Sequence, residues 1–169
     1  MGIEQIILQG IGHFQLIVPC LIFRILSQSS LAPKRMVHLL SAFIGTIILA
    51  ISFKHNAIHQ ILLTLITWML HLSKIGHLGL LCTITCISYN LICELLIQNW
   101  RQISGTQMIL SMKLISLAFD ITENKKLKSP TFLQYFGYAL CPGTTTMGLW
   151  VSYQDYLAIF TNPKWVRIK

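Results

Sequence analysis

The chain has 169 residues, 54% hydrophobic and 11% charged, with 13 Lys+Arg against 5 Asp+Glu and a formal net charge of +8. Soluble domains carry about 25% charged residues, and intrinsic disorder requires low hydrophobicity with high charge, so both classes are excluded. Five cysteines are an odd number, scattered through apolar runs, which does not suit a disulfide scaffold.

A helix needs about 20 mostly apolar residues to cross the hydrocarbon core of a bilayer. Residues 11–26 form a first candidate span, interrupted by Pro19 and carrying Arg24. The start MGIEQ holds Glu4 and no Lys or Arg, so this segment reads as a membrane helix and not as a cleavable signal. Residues 27–34 (SQSSLAPK) are a polar turn. Residues 36–53 are the clearest span, uncharged between Arg35 and Lys54. After a KHN connection comes 57–72, with His59 and His71 near its ends, and then 75–97, apolar apart from Asn90 and Glu94. Connections this short force neighbouring helices to run antiparallel. Four spans are expected before residue 98.

Trp68, Trp100, Trp150 and Trp165 fall mostly near span ends, where amphipathic rings favour the interface. The cations lie singly or in small groups between apolar runs. A nucleic-acid binder would cluster them on one face, so the expected partners are membrane lipids and no nucleic acid. If the 27–36 loop is cytosolic, that side holds Arg24, Lys34, Arg35 and Lys74 against Lys54 and Arg101. The positive-inside rule then places the N-terminus on the lumenal side.

The second half differs in texture. Residues 100–121 read as a helix, and at about 100° per residue Ser104, Gln107 and Ser111 share one narrow stripe. Lys113, Ser116 and Asp120 share a second, almost opposite. Two polar stripes separated by Met, Ile and Leu suggest packing inside a bundle, where Lys113 and Asp120 could share a partner or line one cavity. Ionisable residues at membrane depth mark a functional interior by default; the alternative is an interfacial helix with Lys113 snorkelling to headgroups. TENKKLKSP is an aqueous loop, and Cys141-Pro142-Gly143 breaks any straight helix in the aromatic stretch that follows. An interrupted helix at membrane depth survives only where it is buried in protein or lines a cavity.

Other motifs carry less. His55 and His59 have i, i+4 spacing without a third ligand at a useful interval, so no metal is expected. Cys82, Cys86 and Cys93 read as small buried hydrophobes. Glu94 reads as a headgroup-boundary carboxylate. No nucleophile elbow and no Gly-rich phosphate loop occurs.

Residues 100–160 resemble the membrane-bound O-acyltransferase family, in particular its members that attach a monounsaturated acyl group to a serine of Wnt proteins. The match is carried in order by Gly105-Thr106-Gln107-Met108-Ile109, Met112-Lys113, Ser116-Leu117-Ala118-Phe119-Asp120, Ser129-Pro130, Phe136-Gly137-Tyr138 and Trp150-Val151-Ser152-Tyr153. The family has Pro before that tryptophan where this chain has Leu149, which regains an N–H and loses a fixed φ. The resemblance implies an all-α polytopic membrane fold of about five to seven transmembrane or re-entrant helices. It also implies one membrane domain over 1–169 with its family-specific core at 100–160.

The implied reaction is transfer of palmitoleate from acyl-CoA, as co-substrate, to a Wnt serine in the endoplasmic reticulum membrane. A histidine would act as general base, with polar groups offsetting charge on the thioester oxygen. Gln107, Lys113, Asp120 and Trp150 would line the tunnel or support its wall. The family's catalytic histidine lies downstream of the tryptophan motif, and no His follows His77 here. It is therefore expected beyond Lys169, with no catalytic residue among the 169. The competing reading is a non-catalytic membrane scaffold or chaperone for lipidated clients.

Overall fold

The computed structural model describes residues 34–73, 76–98, 100–123, 129–147 and 151–161. The span expected at 11–26, the cations of the 124–128 loop, Trp150, Trp165 and Lys169 lie outside them. Among the described residues the regular structure is helical: α1 Lys34–Phe53, α2 Ala57–Leu72, α3 Leu78–Leu96, α4 Arg101–Glu123, α5 Phe132–Ala139, α6 Pro142–Met147 and α7 Tyr153–Thr161.

The bundle is apolar outside as well as inside. Outward faces carry large apolar residues at helical spacing: Leu39, Phe43 and Ile47 on α1, Ile58, Leu62 and Met69 on α2, and Leu80, Ile84 and Ile87 on α3. Inward faces mix apolar residues such as Leu49, Leu63 and Leu78 with polar or small ones: His38 and Ser41, then Gln60, Thr64 and Thr67, then Cys82 and Cys86. Large residues turned to lipid and small or hydrogen-bonding residues turned inward are how helices associate in a bilayer, where tails solvate apolar groups as well as a core does. Two stretches, Met36–Leu72 and Leu78–Leu96, are long and apolar enough to cross a membrane. The protein is an all-α membrane protein.

The first of those stretches is not one rod. A short 3-10 turn, Lys54–Asn56, divides it, and Lys54 adopts a left-handed backbone (φ 49°) that a continuing helix cannot use. The N-terminal half of α1 and the C-terminal end of α2 both reach the α5 region, through His38 to Tyr156 and Ser41 to Gly137 on one side and Trp68 to Tyr135 on the other. α1 and α2 are therefore an antiparallel hairpin, as the short KHN connection required. α3 and α4 run antiparallel as well, with the Phe119 ring against Gly79 at one end and Cys93 packed with Trp100 and Ile103 at the other.

Local chemistry starts the shorter helices. The Gln134 side chain accepts the Thr131 N–H at 3.0 Å, closing the first turn of α5. Ser152 caps α7, accepting the Asp155 N–H at 3.1 Å and donating to its carboxylate at 2.6 Å. Pro142 opens α6, where its missing N–H costs nothing.

Candidate functional site

α4 is the element around which everything polar is arranged. Its exposed face holds Gly105, Met108, Met112 and Phe119, and the rest of its circumference is a wide buried arc through Ile103, Gln107, Leu110, Lys113, Leu114 and Leu117. The two polar stripes expected from the sequence are the two shoulders of that arc. They do not oppose one another across an empty interior; each meets its own set of neighbours.

The Lys113 shoulder faces the joint between α5 and α6. Lys113 is 0% exposed. Its Nζ donates to the carbonyl oxygens of Tyr138 at 2.6 Å and Ala139 at 3.0 Å and to Thr144 Oγ1 at 2.7 Å. It also sits 4.8 Å from the Tyr138 ring centroid, a cation–π distance. An ammonium has three donors, and all three are used. The two carbonyls belong to the last turn of α5, where the helix dipole is negative and the backbone acceptors lack intrahelical partners. Lys113 is thus a pin: it caps the first half of the broken helix and ties it to the second half through Thr144.

The same joint is held from the other side by α1. Gly45 lies so close that a β-carbon there would collide with the Leu140 carbonyl oxygen. A β-carbon on Gly137 would come within 2.7 Å of the Tyr156 hydroxyl and 2.8 Å of the His38 carbonyl oxygen. Ser41 Oγ donates to the Gly137 carbonyl at 2.9 Å, and the His38 ring lies 2.9 Å from the Tyr156 hydroxyl. Tyr138 donates to the Val151 carbonyl at 2.9 Å and packs edge-on against Tyr153 and Tyr156. The interrupted helix that Cys141-Pro142-Gly143 foretold is buried in protein, as a break at membrane depth must be.

The Gln107 shoulder faces α2 and α3. There Gln60 donates to Thr106 at 2.7 Å and Asn90 donates to Ser111 at 2.9 Å. Gln107 is 0% exposed, and neither end of its amide has a partner among the described residues.

Asp120 does not join Lys113. It is half-buried at the margin of the arc, and the lysine's donors are spent on α5 and α6. The two nevertheless have Tyr138 in common, Lys113 through its carbonyl and ring and Asp120 through its charge. Trp150 and Lys169, the residue beyond which the resemblance puts the catalytic histidine, fall outside the described residues. A third polar point stands where α2 ends: His71 Nε2 lies 2.9 Å from Ser129 Oγ, with the imidazole stacked on Trp68. Beside it Thr67, His71, Cys82, Leu114 and Tyr135 help to enclose a cavity of about 10 Å³, room for roughly one water.

Sequence reasoning missed the α1 contribution. His38, Ser41 and Gly45 recur at spacings of three and four, a small and polar stripe inside a span read only as apolar and uncharged. Three elements of the ordered motif have now acquired positions: Lys113 in the joint, Gln107 in the α2–α3 seam, and Gly137-Tyr138 where α1 and α7 cross α5.

No family model matches the chain. Among curated proteins, the protein-serine O-palmitoleoyltransferase porcupine of Anopheles gambiae is 37% identical over an alignment of 149 positions that covers 80% of this chain and 30% of that protein. Over most of its length the chain is similar to part of a porcupine. The Homo sapiens porcupine is 29% identical over 155 residues, covering 88% of this chain and 33% of its own length. The Drosophila melanogaster porcupine is 43% identical over 61 residues, 35% of this chain and 12% of that protein. The chain spans about a third of the length of the first porcupines it matches.

Proposed function

We propose that this chain is the N-terminal part of a porcupine-type membrane O-acyltransferase, one that moves a palmitoleoyl group from acyl-CoA to a serine of a Wnt protein at the endoplasmic reticulum membrane. The 37% identity to the mosquito protein-serine O-palmitoleoyltransferase over 149 residues carries the reading. The bundle supports it by what it builds. Helices broken at membrane depth and pinned from inside are a means of making a rigid wall, and acyl transfer depends on holding thioester and hydroxyl in line.

In this reading Lys113 acts through the α5–α6 joint and touches no substrate, because its donors are all committed. Gln107 and Asp120 stand on opposite shoulders of α4, so they support different walls. Trp150 lies outside the described residues and keeps the tunnel role that the resemblance implies. The general base would be the family's histidine, which the resemblance puts outside the matched residues.

A chimera tests the proposal. The matched 80% of this chain replaces its counterpart in the mosquito porcupine, and palmitoleoyl transfer from palmitoleoyl-CoA to a Wnt serine peptide is assayed in microsomes. Retained transfer is expected. Loss of transfer in a chimera that still inserts and survives detergent extraction would overturn the reading and favour a non-catalytic scaffold.

A further inference from the structure

Three carboxamides on three helices lie at one level of the bundle. Gln107 occupies the middle of the α4 seam, between Ile103 and Leu110, and both ends of its amide lack partners among the described residues. Gln60 on α2 donates to Thr106, the residue next to Gln107, and its own Oε1 is unpaired. Asn90 on α3 is held at the same height by the antiparallel register, in which Gly79 meets Phe119 and Cys93 meets Ile103, and its Oδ1 is unpaired.

The neighbours fix which way these amides point. The Thr106 hydroxyl spends its hydrogen on the Ile103 carbonyl at 2.9 Å, so Gln60 can meet it only with an N–H. The Ser111 hydroxyl spends its hydrogen on the Gln107 carbonyl at 2.9 Å, so Asn90 too must present its N–H. The oxygens of both are therefore what remains. What is left over is three carbonyl oxygens and one NH2 group, each shielded from solvent, on three neighbouring helices at this level. Buried polar groups without partners are costly and rare, and four at one level of adjacent helices point to a ligand that is their complement.

That complement is a small neutral group that donates hydrogen bonds and can accept one. A metal cation has no lone pair for the Gln107 NH2, and an anion would face three oxygens for one donor. We propose that Gln60, Asn90 and Gln107 form a buried hydroxyl-binding site, filled by a water from bulk or by the hydroxyl of a lipid. Gln60 is the fourth residue of α2 and Gln107 the seventh of α4, so at about 1.5 Å per residue the site lies roughly 6–10 Å in from that end of the bundle. The site does not depend on the acyl-transfer reading.

Solid-state NMR on the full chain tests it, with side-chain amides labelled with nitrogen-15 and the Gln107 signal assigned by its loss in Gln107→Met. The lipid discs are pure phosphatidylcholine, which has no hydroxyl, or phosphatidylcholine with added diacylglycerol, which has one. Magnetisation passed from water to the Gln107 NH2 in the pure discs assigns the site to water. Transfer to it from the glycerol hydroxyl, seen only with diacylglycerol, assigns it to a lipid. Absence of both overturns the proposal. Gln107→Met is expected to lower the melting temperature by a few degrees, because it removes one wall of an occupied site. A raised melting temperature would mean that the amide was an unrelieved burden, and would overturn the proposal as well.

Discussion

α4 turns one flank to α5 and α6 and the other to α2 and α3, and the two flanks treat buried polarity differently. On the first, Lys113 finds an oxygen for each of its three donors, two of them backbone carbonyls freed by the end of a helix. On the second, Gln107 is equally buried and finds none among the described residues. A broken helix creates acceptors that a side chain can satisfy, whereas two intact helices keep their carbonyls to themselves. The polar residue opposite an intact helix must recruit something else. Satisfaction here follows from where the neighbouring backbone is interrupted, more than from the side chain's own charge.

This contrast can be broken by substitution. Lys113→Met removes the shared donor of the joint, leaving the Ala139 carbonyl without its partner and the Tyr138 carbonyl and Thr144 hydroxyl with one each, and should destabilise the bundle by about 3 kcal/mol, read from equilibrium denaturation in mixed micelles. If Gln107→Met costs as much, the two flanks are not different in kind. Gly137→Ala should cost about 1–3 kcal/mol through overpacking against Tyr156 and the His38 backbone. The same substitution at Gly105, where a β-carbon meets nothing within 4 Å, should stabilise α4 by about 0.5–1 kcal/mol. Equal effects at the two glycines would show that α5 is not clamped between α1 and α7. The smallest effect is expected at Asp120→Asn, within about 0.5 kcal/mol of the parent. Reduced acyl transfer by that variant in the mosquito chimera, at unchanged stability, would then assign the carboxylate a charge role at the margin of the arc.

Some of this is legible in the sequence, and the rest is hidden for physical reasons. Spans at 36–53 and 57–72 match α1 and α2 because apolar length and short connections leave little freedom, and 75–97 overshoots α3 at its start. The break at Pro142 is visible because proline cannot continue a helix. Lys113 is visible as a buried cation, but its partners are mostly main-chain oxygens, which no side-chain pattern encodes, so pairing with Asp120 looks equally natural. The α1 stripe of His38, Ser41 and Gly45 is hidden for another reason: it is too short to lower the mean hydropathy of its span. Gln107 stands out as part of a stripe, yet its isolation emerges only when α2 and α3 are set beside it.

The three-residue turn at Lys54–Asn56 has a consequence for how the protein is made. α1 carries His38 and Ser41 on its inner face, and α2 carries Gln60, Thr64 and Thr67, so each helix alone would show part of that face to lipid. A connection this short keeps the two within reach of each other from the moment the second is synthesised. They are suited to leaving the translocation machinery as a closed hairpin, already shielding one another before α3 or the joint exists.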